Sequence, residues 1–178
     1  MLKPDTMPLT RLANTALDRV RPTRAEAVER AMAFARSDLI CYRAVSLLDL
    51  VELQNRTWNP LLDWLKQTHG AELKAGAGIA YVEQSPAALA ALSRALETQG
   101  DFTLAAVSAA ASLSGSLVIA LALAAEHIDA DAAFAASQLD EAHQRAKWGT
   151  DAEAAARSAR IQAELKSAVR FLRLAGKN

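Results

Sequence analysis

The stretch Phe102-Thr-Leu-Ala-Ala-Val-Ser-Ala-Ala-Ala-Ser-Leu-Ser-Gly-Ser-Leu-Val-Ile-Ala-Leu-Ala-Leu-Ala-Ala125 runs for 24 residues without one charge. Soon after it, Ser137-Gln-Leu-Asp-Glu-Ala-His-Gln-Arg-Ala-Lys-Trp148 and Gly149 make a densely polar segment with two adjacent carboxylates. A helix that offers water nothing must be surrounded by lipid or by protein, and that choice decides the fold. At about 1.5 Å per residue the neutral run is long enough to cross a bilayer. Its flanks argue against insertion. Asp101 precedes it, and Glu126, His127, Asp129 and Asp131 follow, so neither end has the Lys/Arg excess or the aromatic belt of a membrane span. Alanine and the residues Ser108, Ser112, Ser114, Gly115 and Ser116 dilute its hydrophobicity further. We expect a central helix buried by its neighbours, kinked or split around Ser114-Gly115-Ser116, where helix propensity is weakest.

Composition bounds the rest. A chain of 178 residues can bury a real core as one domain, or as one domain plus a subdomain. Lys+Arg and Asp+Glu balance at 20 each, so no net field points to nucleic acid. Locally the balance tilts: residues 1–43 hold eight basic against five acidic side chains, and residues 44–125 hold four against seven. Cys41 is the single cysteine, which rules out an internal disulfide and fits a reducing compartment. No apolar segment of a secretory signal follows the N-terminus, and Asp5 and Asp18 argue against a mitochondrial presequence.

Along the chain, Pro8 to Val20 reads as a helix, and Thr23-Arg-Ala-Glu26 reads as a capping box opening a second helix towards Arg36. Leu39 to Arg43 is a strand candidate. Ser46 is placed as the cap of a third helix, and Asn59-Pro60 as cap and first position of a fourth that Gly70 ends. Leu73 to Val82 suggests one or two short strands. Ser85-Pro86 repeats the cap-plus-proline signal, and helices are expected at 86–99, 102–125, 130–148 and 151–174. In the last, Ala154, Ser158, Ile161, Leu165, Ala168 and Leu172 form a packing seam. The expected fold is α+β and predominantly α-helical: a small mixed α/β part over 1–84 with short strands, and an all-helical bundle over 85–178 around the buried uncharged helix.

With 100° per residue, one helix over 130–148 places Ala132, Ala135, Leu139, Ala142 and Ala146 on an inner face. Ser137, Glu141, Gln144, Arg145 and Trp148 then lie opposite. Trp148 could pack on the next helix, because Gly149 ends this one. Otherwise it supplies apolar area beside the Glu141 carboxylate, a composition typical of binding hot spots. Glu141 and Arg145 are spaced as an i,i+4 pair, worth only about 0.2–0.5 kcal/mol on a surface. No nucleophile motif or dinucleotide loop is present. Asp140-x-x-His143 is half of a di-metal motif without its second copy, and His127 with Asp131 could hold a metal or simply begin a solvated helix. No cofactor is expected. A helical metal-dependent enzyme and a peripheral membrane protein remain as alternatives.

Met7-Pro-Leu-Thr-Arg-Leu-Ala-Asn-Thr-Ala-Leu-Asp18, Ser37-Asp-Leu-Ile-Cys-Tyr-Arg43, Trp58-Asn-Pro-Leu-Leu-Asp-Trp64, Ser112-Leu-Ser-Gly-Ser116 and Leu139 to Gly149 together resemble, in order, the ATP-twelve type of chaperone that assembles the catalytic head of ATP synthase, in its alphaproteobacterial form. The resemblance covers essentially the whole chain. It implies a holdase without enzymatic activity that binds the free alpha subunit and shields the surface destined for the beta subunit. It also implies a monomer, in the cytoplasm of a bacterium or the mitochondrial matrix of a eukaryote. Family members carry a β-rich region before the Met-Pro-Leu-Thr motif, whereas six residues precede it here, so a truncated form is expected. An acidic residue at the place of Asp140-Glu141 is functionally important in the family and aligns with Glu141. His143 stands where the family often has an aromatic. The expected partner-binding residues are Glu141, Asp140, Gln144, Trp148 and Arg145.

Overall fold

A computed structural model describes residues 6–149 and 151–176. Asp5, used above against a presequence, lies outside them. The fold is α+β and predominantly helical. Helices α1 (Pro8–Thr15), α2 (Arg24–Arg36), α3 (Leu48–His69), α4 (Pro86–Glu97), α5 (Asp101–Ser114), α6 (Leu117–Ala124), α7 (Ala130–Ser137), α8 (Leu139–Trp148) and α9 (Ala152–Ala175) surround one main core. Strands β1 (Tyr42–Arg43) and β2 (Gly76–Ala77) pair in parallel, Tyr42 with Gly76 and Arg43 with Ala77, and α3 makes the crossover between them.

The neutral segment is wrapped by sister helices. Between Phe102 and Ala125 only Ser112 and Ala125 are exposed, and all of Leu117–Leu123 is buried. It splits where propensity predicted. Gly115 takes φ +71, a left-handed turn that glycine enters without a Cβ penalty. The Ser116 hydroxyl then accepts from Ile119 N at 3.0 Å and caps α6. Among the described residues no helix is long and apolar enough to cross a membrane.

Asp38 locks the motif around Cys41 onto this break. It is fully buried, accepts from Ile40 N at 3.2 Å and from Val118 N at 3.1 Å, and sits at the positive end of α6. Burial dominates its titration and pushes it up to about 6, while the bonds from Ser116, Val118 and Ile40 pull the other way. The folded chain therefore binds the Asp38 proton more tightly than the unfolded chain does. Its contribution to stability is present in full at low pH and declines as pH rises from about 4 to 6. The melting temperature of the wild type minus that of Asp38→Asn should fall across that window and level off above it. A flat difference would show that Asp38 ionises normally.

Four local expectations are corrected. The expected third and fourth helices are one, α3, with Pro60 inside it. Leu50, Gln54, Trp58, Leu61 and Leu65 form an unbroken inward stripe, and that burial outweighs the hydrogen bond Pro60 removes. Asn59 serves elsewhere, its side-chain oxygen accepting from Arg43 Nη2 at 2.9 Å. The strands are two residues each: a 3-10 turn over Leu39–Cys41 occupies most of the expected first strand, and glutamine side chains bond the backbone beside the pair. Gln84 accepts from Lys74 N at 2.8 Å and donates to Lys74 O at 2.9 Å, and Gln54 accepts from Ala44 N at 2.9 Å. The Thr23 hydroxyl donates back to Arg19 O at 2.7 Å, so no capping box closes although α2 does begin at Arg24. Finally, the helix expected over 130–148 breaks at Gln138 into α7 and α8.

Candidate functional site

The break at Gln138 is built from α3. Trp58 is buried and its indole N–H donates to Ala136 O at 2.9 Å. That carbonyl is one of the last in α7, where no intrahelical donor remains. Arg43 stacks over Trp58 with its guanidinium carbon 5.0 Å from the ring centroid, and it donates to Ile40 O, to Asn55 Oδ1 at 3.2 Å and to Asn59 Oδ1 at 2.9 Å. The tryptophan thus terminates α7 and fixes where α8 departs.

A continuous helical wheel over 130–148 misplaces several side chains. Ala132, Ala135, Ala142 and Ala146 are exposed, not inward. Ser137 is buried, and Leu139 is the buried residue of α8. Polar bonds hold the rest of α8. Gln54 Nε2 donates to Asp140 Oδ1 at 2.8 Å, while Asp49 Oδ2 lies 2.8 Å from His143 Nε2 and 3.3 Å from Lys147 Nζ. The bond with His143, followed by that with Lys147, draws the Asp49 carboxyl down to about 2. Asp140 and Glu141 in the first turn and Arg145 and Lys147 in the last complement the helix dipole.

The face turned away from α3 carries three of the five expected residues. Glu141 and Gln144 are exposed, and Trp148 is 74% exposed, which excludes the alternative of an indole packed on the next helix. Spaced at i, i+3 and i+7, these three make one stripe. Arg145 does not pair with Glu141. Its Nη1 donates to Ser158 Oγ at 3.0 Å, tying α8 to α9. With Gln138, Gly149 and Arg157 these residues line an open groove of about 300 Å³ between α8 and the start of α9. The structure therefore separates the two carboxylates: Asp140 is half-buried and bonded to Gln54, whereas Glu141 projects into solvent.

Residues 1–66 match the family described as "ATP12 chaperone protein". Atp12 from Paracoccus denitrificans superimposes with a TM-score of 0.93 at 35% identity, over 98% of this chain and 75% of that one. The chain belongs to the ATP12 chaperone family. An aspartate-to-lysine mutant of the Paracoccus Atp12p matches equally well, with a TM-score of 0.93 at 34% identity over 98% of this chain and 74% of that one.

Within this family framework, four of the five quoted motifs are linked, directly or through Gln54 and Ala136, by hydrogen bonds and one cation–π contact. Asp38 reaches the Ser114–Ser116 break, Arg43 reaches Trp58, Trp58 reaches the end of α7, and Gln54 reaches Asp140. Gln54, Trp58 and Asp49 are positioning residues that sequence reading missed. A signal was available at Gln54, a polar residue on an otherwise apolar stripe, which has to find partners when buried. Asp140 and His143 are both engaged with α3, and His127 stacks on Trp64 at 4.9 Å between ring centroids. Among the described residues no group of three or more His, Cys, Asp or Glu side chains is arranged to hold a metal ion.

Proposed function

We propose that this ATP synthase assembly chaperone is a holdase for the unassembled alpha subunit of the catalytic head, covering the surface that later meets the beta subunit. The client lies on Glu141, Gln144 and Trp148, with Asp140 and Arg145 at the margins. Holding of this kind requires no cofactor and no covalent step. One observation carries the reading: an indole 74% exposed shares a helix face with a carboxylate that has no ion-pair or hydrogen-bond partner among the described residues. Stability of the chain alone does not account for such a pair.

The physical need is plain. A subunit awaiting assembly exposes a large apolar interface prone to aggregate, and its guardian must bind weakly enough to be displaced. A short, amphipathic helix presenting one aromatic and one free charge supplies a compact anchor. We further propose a division of labour near residue 84, in which residues 1–84 brace α8 through α3 and residues 85–178 carry the charge-and-indole part of the client surface. The protein works as a monomer, in the bacterial cytoplasm or, in a eukaryote, the mitochondrial matrix.

Immobilised chain offered separately purified alpha and beta subunits should retain alpha and pass beta. Retention of beta instead, or of neither, would contradict the proposed client.

A further inference from the structure

Away from α8, most of the large apolar side chains left in water gather at one place. Val45, Leu48, Ile79 and Tyr81 are 75%, 80%, 103% and 66% exposed, and Leu47 is 44% exposed. Scattered singly, such residues would be ordinary; five of the nine found among the described residues gather on two short segments, and that calls for a cause. Those segments, 44–48 and 78–82, contain no charged residue. They leave β1 and β2 side by side: Gly78 N donates to Arg43 O at 2.8 Å, and a Cβ added at Gly78 would stand 3.3 Å from Val45 Cγ1. Leu47 holds φ +66, a left-handed conformation that a branched side chain seldom adopts, and from that turn α3 sets off with Leu48 facing water.

We propose that this patch is a second part of the client surface and takes an uncharged, apolar stretch of the client's own interface. The inference rests on the reading of α8 given above. Asp49 joins the two places: Leu48 precedes it in the chain, and its carboxylate holds His143 and also Lys147, the neighbour of Trp148. A client lying across this junction meets charge and indole on α8 and aliphatic area on the two loops. Subunit interfaces have that make-up, with an apolar centre and a polar rim.

The test titrates unassembled alpha subunit with the full chain, with Leu48→Ser/Ile79→Ser, and with Glu141→Lys, following client aggregation by light scattering. The double variant should melt with the wild type yet need at least about tenfold more chaperone to hold alpha, as expected when burial of two aliphatic side chains is lost. Normal holding by the double variant, with holding lost in Glu141→Lys, would overturn the patch and leave α8 standing. Normal holding by both would overturn α8 and the patch together. Two further results would also overturn it, each with client holding unchanged in the double variant. One is a wild type that sediments as a dimer and a double variant that does not. The other is flotation with phosphatidylcholine/phosphatidylglycerol vesicles that needs Leu48 and Ile79.

Discussion

Trp58→Ala is expected to cost about 3–5 kcal/mol of folding stability, the usual range for deleting a buried indole. For a chain of this size that corresponds to a melting temperature lower by roughly 6–20 °C. The loss has three sources in the structure. The side chain is 1% exposed, so its removal opens a cavity in the main core. The Ala136 carbonyl loses the donor that ends α7, and the Arg43 guanidinium loses the ring beneath it. Trp58→Phe separates these contributions. It keeps most of the buried area and removes the N–H, so it should cost about 1–3 kcal/mol, the penalty of an unsatisfied buried carbonyl. Urea unfolding of both variants checks the pair. A Trp58→Ala loss below about 1 kcal/mol would mean that the junction of α3 with α7 is not what fixes α8.

That junction also marks where the sequence was readable and where it was not. The buried neutral segment, its split at Gly115 and the caps at Ser85 and Gly70 follow from local propensity and patterning, and the structure has each of them. The helix α3 does not: Pro60 argues for a break, and only the inward stripe from Leu50 to Leu65 keeps the helix intact. The break at Gln138 was invisible for the opposite reason. Nothing in Ser137-Gln138-Leu139 disfavours a helix, and the cause sits on α3, where Trp58 takes a carbonyl at the end of α7. The break turns α7 away from the wheel drawn for α8, and alanines on a small helix are too indifferent to mark the inner face, so four exposed alanines were placed inside. Glu141, Gln144 and Trp148 kept their outward face because they lie together beyond the break, within one unbroken helix. Arg145 was read as the partner of Glu141, but Ser158 on α9 offers an acceptor that local spacing cannot reveal.

Glu141→Lys is expected to leave the fold intact and abolish holding of the client. The side chain is exposed and without a partner among the described residues, so a charge swap should shift stability by no more than about 0.5 kcal/mol. Binding is another matter. A lysine on the face of Trp148 reverses the charge at the centre of the proposed contact, and losses of 2 kcal/mol or more, roughly thirtyfold, are common at such anchors. The direct measurement is light scattering from unassembled alpha subunit with wild type or Glu141→Lys chaperone, beside a thermal melt of each. Scattering suppressed by the wild type and not by the variant, with coincident melts, is the predicted result. Equal suppression by both, or a variant that fails only because it melts earlier, would contradict a client surface on the outer face of α8.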